Sequence, residues 1–391
     1  MLLLSPRNWP DYELIDSGNF EKLERFGAYF IARPEPKALW NKSLSEKEWN
    51  ALTHTRFETG AGFGKAGKEE SGTWKMLKKM PEQWLISYQS SVVSPESLAV
   101  SRESSVVSRE SSAVSRESSV VSPESSAFQF KIRLGLTAFK HVGLFPEQAP
   151  NWDFIYKATS RLASNPTSNS SSRPTSNPPS NSSSRLTSNP TSNSSSRPTS
   201  TSCPPKILNL FAYTGCASLA ARAAGADVTH LDAVRQVVTW ARENMELSNM
   251  DGIRWMVEDA LKFVKRQVRR NAQYQGIILD PPAYGHGPEG ERWKLDECLF
   301  ELLQACNAIL SPHDSFMLLN LYSNGYSAVL ADSLARASFG QAGTGSLSDC
   351  AAADRLSGPA GYAAAASFGE LILEDKFGKR LPLSVFARIE R

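Results

Sequence analysis

KILNLFAYTG, Lys206 to Gly215, is an apolar run that closes on a turn, and its reading decides the fold. Ile207, Leu208, Leu210 and Phe211 predict a buried strand, and the small-residue stretch CASLAARAAGA that follows Gly215 predicts a helix. A helix that starts tight against a strand end leaves free backbone N–H groups facing whatever binds there. The next apolar run, VTHLD, closes on Asp232, seventeen residues after Gly215. A carboxylate at the tip of a second strand is placed to accept hydrogen bonds from ribose hydroxyls. The unit reads as the cofactor edge of a doubly wound α/β domain.

Two cofactor classes use such an edge. A nicotinamide turn carries three glycines in G-x-G-x-x-G, because the backbone must approach a pyrophosphate. This turn has only Gly215. A sulfonium donor such as S-adenosylmethionine has no pyrophosphate and accepts a looser turn, so it is the favoured cofactor. A third strand, IRWMVED, runs from Ile253 toward Asp259, a candidate acceptor for an exocyclic adenine amine. A fourth, YQGIILDPP, ends at Asp280, and Pro281 and Pro282 fix the chain direction beyond it. Any one of these aspartates has an alternative reading as a helix cap or turn residue, and Asp259 alone reads equally well that way. Three in succession fit the carboxyl edge of an open α/β sheet, where ligands bind.

The segments NLFAYTGCASLAARAAGA, VTHLD, WARENMELS, IRWMVEDALKFV and GIILDPPAYGHG resemble the class I S-adenosylmethionine-dependent methyltransferases, in particular the group acting on large-subunit ribosomal RNA. The run FKHVGLFPEQAPNWDFI, Phe139 to Ile155, resembles that group's lead-in to the cofactor pocket. The resemblance covers most of residues 128–158 and 203–330. It implies that Phe145 and Gln148 lie near the cofactor and that Phe211, Tyr213, Thr214 and Gly215 surround its methionine part. It further implies that Asp232 holds the ribose and Asp259 the adenine, with Asp280, Pro281, Pro282 and Tyr284 facing the methyl group and the substrate base.

One departure from the group bears on chemistry. Relatives that methylate carbon 5 of cytosine need a thiolate to add to the ring, since that carbon is not nucleophilic on its own. Their cysteine follows the fifth strand, where this chain has Leu321, Tyr322 and Ser323 in FMLLNLYSNGYS. The DPPAY run has no cysteine either. A nitrogen acceptor asks less of the protein, because it already carries a lone pair and needs mainly to be held in line. Asp280 and Pro281 can orient such a nitrogen, and Tyr284 can stack on a base. The expected function is therefore S-adenosylmethionine-dependent methylation of an RNA base, ribosomal by resemblance, at a nitrogen. The alternatives are a protein side-chain N-methyltransferase and a catalytically silent RNA-binding or scaffold protein.

The five cysteines include no C-x-x-C pair and no paired spacing, which speaks against zinc and against a disulfide framework and suggests a reducing compartment. Cys216 sits at a helix start, a setting that can lower a thiol pKa, although close packing explains a small residue there. The five histidines form no ligand pattern, and no metal is expected. His141 and His286 fall near the expected pocket. The net charge of +3 is only mildly basic. LKFVKRQVRR concentrates Lys262, Lys265, Arg266, Arg269 and Arg270 on one helix, either a phosphate contact or a solvated face.

Residues 1–88 are aromatic-rich, with short alternating runs such as YELIDSG and AYFIARP, and read as a small β-rich accessory domain. Residues 89–127 carry a seven-residue repeat of the SRESSVV type, too rich in serine for a coiled coil. Residues 128–158 supply the lead-in strand and helix. Residues 159–205 carry a twelve-residue repeat rich in Ser, Asn and Pro, with Arg161, Arg173, Arg185 and Arg197 in register. Both repeats read as disordered insertions. Residues 206–391 form the methyltransferase domain, and ELILEDKFGKRLPLSVFARI near its end predicts a hairpin turning at Gly378 that completes a seven-stranded Rossmann-like sheet. The initial MLLL is too short for a signal peptide or a membrane span, so a cytoplasmic location without membrane partners is expected. The oligomeric state stays open.

Overall fold

A computed structural model describes residues 1–60, 72–90, 128–164, 203–322, 325–339 and 365–391. The two serine-rich repeats, Ser323, Cys350 and most of the small-residue stretch before the last hairpin lie outside the described residues.

The amino-terminal region begins with β1 (Leu2–Leu4) and continues through β2 (Tyr12–Gly18), β3 (Glu21–Phe26), β4 (Tyr29–Pro34), α1 (Glu46–Leu52), β5 (Thr55–Thr59) and β6 (Gly72–Met76). Strands β2 to β6 form one five-stranded sheet. Two pieces of the 1–88 segment lie outside it. β1 pairs in parallel with a strand of the large sheet, and β7 (Gln83–Gln89) pairs with β8 (Gln129–Gly135) of the lead-in. After β8 come a 3-10 turn, Pro146–Gln148, and helix α2 (Ala149–Ser164).

The large sheet is then laid down by β9 (Lys206–Leu210), α3 (Cys216–Ala223), β10 (Asp227–Asp232), α4 (Arg235–Leu247), β11 (Ile253–Val257), α5 (Ala260–Arg269) and β12 (Gly276–Leu279). A short hairpin, β13 (Tyr284–His286) and β14 (Arg292–Lys294), precedes α6 (Leu295–Ile309), β15 (Phe316–Leu321), α7 (Ala328–Phe339), β16 (Ala365–Glu374) and β17 (Arg380–Glu390). The order across the sheet is β1-β16-β17-β15-β12-β9-β10-β11. The seven expected strands are all present, with only β17 antiparallel to its neighbours, and β1 adds an eighth at the β16 edge.

Side-chain alternation on the strands feeds a core on each face. Ile207, Ile278, Phe316 and Leu318 pack on one side with α2, α3 and aromatics of the amino-terminal region. Leu208, Leu210, Ile277, Leu279, Met317 and Leu319 pack on the other against α5, α6 and α7. The final hairpin turns at Gly378, whose φ of 80° only glycine adopts freely, and Asp375 accepts from the N–H groups of Phe377 and Lys379. Lys379 in turn pairs with buried Asp16 of β2 at 2.7 Å, which fastens the amino-terminal sheet to the large one.

The sequence of strands reverses direction at β9: β10 and β11 extend to one side, and β12 and β15 to the other. That reversal opens a crevice at the carboxyl ends of β9 and β12. Among the described residues no helix is long and apolar enough to cross a membrane.

Candidate functional site

Strand register sets the site. Leu210 lies level with Leu231 on one neighbour and with Leu279 on the other, and Leu279 lies level with Leu319. The next residue of each strand path is therefore Phe211, Asp232, Asp280 and Asn320, four residues in one row at the carboxyl edge. A cleft of about 570 Å³ opens above them.

The turn after β9 walls one side. Phe211 and Tyr213 hold φ of 56° and 48°, a region that costs non-glycine residues about 1–3 kcal/mol each. Gly215, at φ 94°, caps α3, and a Cβ there would come within 3.0 Å of the Ala241 side chain. Several bonds overdetermine this turn. The Tyr213 N–H donates to Asp232 Oδ2 (3.0 Å), the Val234 N–H to Asp232 Oδ1 (2.9 Å), and the Thr214 hydroxyl to the Gly143 carbonyl (2.8 Å). Asn244 of α4 donates to the Thr214 carbonyl and accepts from the Arg133 N–H, so one amide ties the turn to β8. Burial raises the Asp232 carboxyl pKa, and the backbone donors of Val234, Tyr213 and Ala233 oppose that shift.

Phe145, Gln148, Phe211, Tyr213, Asp232, Asp259, Asp280, Pro281, Pro282 and Tyr284 all line the cleft. Thr214 instead lines a smaller adjoining cavity of about 60 Å³, and Gly215 lines neither, its place being structural at the helix start. Asp259 lies beyond the end of β11 rather than on it. It caps α5, where Oδ1 accepts from the Lys262 N–H at 2.8 Å, so the cap and the cleft wall are the same residue.

At the other side, Asp280 sits on the cleft floor, reachable through the cleft although its carboxyl lies deep. Burial pushes its pKa up to about 6 against the hydrogen bond from Asn320 Nδ2 (2.7 Å). Asn320 Oδ1 is buried without a partner among the described residues. Tyr284 belongs to the β13–β14 hairpin rather than to a loop, and it is 54% exposed at the rim. Trp293 of that hairpin donates to the Pro282 carbonyl (2.7 Å) and packs on Phe211 at 4.8 Å between ring centroids, closing the hairpin over the DPP turn.

Asn320, Trp293, Tyr322, Phe139 and Glu258 were not singled out as site residues from the sequence, and the last four also line the cleft. Asn320 could have been found by carrying the register one strand further. Trp293 gave no signal, since nothing in GERWKL marks a hairpin. His141 and His286 line the cleft as well. Cys216 is buried, and burial raises its thiol to about 12, so the helix start does not activate it. The basic face of α5 is largely paired: Lys262 with Glu289 and Glu291, Lys265 with Glu301, Arg266 with Glu258. Among the described residues no group of three or more His, Cys, Asp or Glu could hold a metal ion.

The chain resembles, at 29% identity, the SAM-dependent methyltransferase of Agrobacterium tumefaciens, over 100% of this chain and 93% of that one, with a TM-score of 0.67. This is the class I S-adenosylmethionine-dependent methyltransferase fold. SMU.776, a methyltransferase solved with SAH, shares that methyltransferase fold at a TM-score of 0.54 and 12% identity, over 97% of this chain and 75% of its own. Among curated relatives, the ribosomal RNA large subunit methyltransferases K/L of Shewanella frigidimarina and Pseudoalteromonas translucida are 32% and 33% identical over 118 and 119 residues. Each match covers 29% of this chain and only 16% of the relative. No protein-family model matches the chain. The residues at the cleft suit the cofactor of this fold: the turn that walls it is tied to Asp232 through the Tyr213 N–H, and the carboxylates of Asp232 and Asp280 flank Phe211 in one row.

Proposed function

We propose that this chain is an S-adenosylmethionine-dependent methyltransferase that modifies a nucleobase of RNA, ribosomal RNA first, at a nitrogen. The observation that carries the reading is the single row of Asp232, Phe211, Asp280 and Asn320 under one cleft, with an exposed aromatic, Tyr284, at its rim. Bound S-adenosylmethionine would supply a methyl group on an electrophilic sulfonium. Asp232 and Asp259 would hold the nucleoside part through their free lone pairs, and Phe145, Gln148 and the 211–215 turn the methionine part. Asp280 would accept an N–H of the target nitrogen and keep its lone pair in line, while Tyr284 stacks on the base. Asn320 would orient Asp280.

The nitrogen acceptor is favoured by the cysteine positions. Among the described residues none lines the main cleft, and Tyr322 occupies the wall where a nucleophile would be needed. The named activity of the K/L relatives supports the RNA substrate. Methyl-labelled S-adenosylmethionine incubated with the protein and either ribosomal RNA from a strain lacking it or total cell protein tests the reading. Label is expected in RNA nucleosides; label confined to protein, or none in either, contradicts it.

A further inference from the structure

Behind the cleft, three side chains, from the last strand, the lead-in helix and the 3-10 turn before it, form a one-way chain of hydrogen bonds. Arg388 of β17 is 8% exposed, with its guanidinium 4.4 Å from the ring centroids of both Phe154 and Phe386. It donates to Asn151 Oδ1 at 2.8 Å and to the Pro150 carbonyl at 3.2 Å. Asn151, 1% exposed, donates through Nδ2 to Gln148 Oε1 at 2.7 Å. Gln148 lines both the main cleft and the smaller cavity beside it.

The direction of this chain follows from chemistry. A guanidinium only donates, so the Asn151 atom that faces it must be the oxygen. The NH2 of Asn151 then faces Gln148, and the Gln148 atom meeting it must also be an oxygen. What remains of Gln148 is its NH2, which makes no hydrogen bond among the described residues, on a side chain that lines the cleft. A buried amide without such a constraint presents either end with similar ease. Here the cation two residues away removes the choice. Burial lowers the Arg388 pKa to about 10, which still leaves it charged at neutral pH.

We infer that Arg388, acting through Asn151, fixes the Gln148 amide as a hydrogen-bond donor for a carboxylate bound in the cleft, that of the methionine part of the methyl donor. The inference rests on the donor assignment proposed above. Gln148 is the binding residue, and Asn151 and Arg388 are positioning residues. The small cavity fits this role: its walls combine Gln148 with Phe211, Tyr213 and Thr214, so Gln148 and the turn border one space.

Calorimetry with two probes tests it: S-adenosylhomocysteine, and its decarboxylated analogue, which keeps the amine. The native protein should bind the first about tenfold or more tightly than the second, the range expected of a hydrogen bond to a charged group. Asn151→Asp cannot donate to Gln148, whose amide then turns its oxygen to the cleft. This variant should lose most of the preference while binding the analogue within about twofold of the native protein. Gln148→Met, checked for native folding by its thermal unfolding, should lose the preference too, and Arg388→Lys, which still donates, should retain it. Equal loss for both probes in Asn151→Asp and Gln148→Met, or an unchanged preference, overturns the relay. A native protein that binds both probes equally overturns the carboxylate role and leaves the donor assignment intact. A native protein that binds neither overturns the donor assignment itself.

Discussion

Across the cleft, the turn side and the hairpin side are held in different ways. On the turn side, Asp232 takes two backbone N–H groups, Thr214 and Asn244 pin the backbone, and Gln148 is fixed by a side-chain relay. On the hairpin side, Asp280 has one side-chain donor, Asn320, and the aromatic at the rim, Tyr284, is 54% exposed. A surface that meets the same small molecule at every turnover gains from being preorganised, because no binding energy goes into ordering it. A surface that meets a folded RNA must stay accessible, and it places its aromatics where an unstacked base can reach them.

On the rigid side the effect should fall on binding. Asp232→Ala removes the acceptor of the Tyr213 and Val234 N–H groups and a ligand acceptor, and S-adenosylhomocysteine affinity should fall by about 30-fold or more in calorimetry. An unchanged affinity would break the comparison at its firmest point. Asp280→Ala should act in the opposite sense, lowering the single-turnover methylation rate by about 100-fold or more while leaving S-adenosylhomocysteine affinity within about threefold. Equal losses in both quantities would merge the two sides into one site.

The Asp280 carboxyl sharpens the contrast through pH. Its pKa is raised by burial to about 6. The ionised form is the better acceptor, so turnover should be low below that value, climb through it and level above. Asn320→Leu removes the hydrogen bond that holds the pKa down, so the rising limb should move to higher pH; a limb that moves down, or does not move, contradicts the pairing. A smaller effect is expected at the rim. Tyr284→Ala should raise the KM for RNA by roughly tenfold, the worth of one stacked base, without altering S-adenosylhomocysteine binding. Smallest of all is Lys265→Ala on α5, whose ammonium is already paired with Glu301 at 2.6 Å. RNA affinity should change by less than about twofold, as expected for an exposed pair.

The same division explains what could be read in the sequence. The turn side is local: a strand, a glycine, a helix and an acid at the next strand end follow one another within Lys206–Asp232, so the pattern carries its own geometry. Asp232 and Asp280 of the row were legible for the same reason, since each closes its own apolar run, whereas Asp259 falls past its strand as a helix cap. The hairpin side is assembled from distant pieces. Asn320 meets Asp280 only through the pairing of β12 with β15, and Trp293 reaches Pro282 only because β13 and β14 fold back over it. The basic stripe of α5 stayed open between two readings because its partners, Glu289, Glu291 and Glu301, come from later segments. The eighth strand was missed because three leucines at an edge give no period to read, and their partner, β16, lies more than 360 residues further along the chain.

The central claim is that the cleft moves a methyl group from S-adenosylmethionine to a nitrogen of an RNA base. Its most direct test is nucleoside mass spectrometry of ribosomal RNA incubated with the protein and S-adenosylmethionine carrying a deuterated methyl group. The account predicts the deuterated methyl in an N-methylated nucleoside, lost in Asp280→Ala. Label in 5-methylcytosine, or in a nucleoside that Asp280→Ala still produces at full rate, would contradict it.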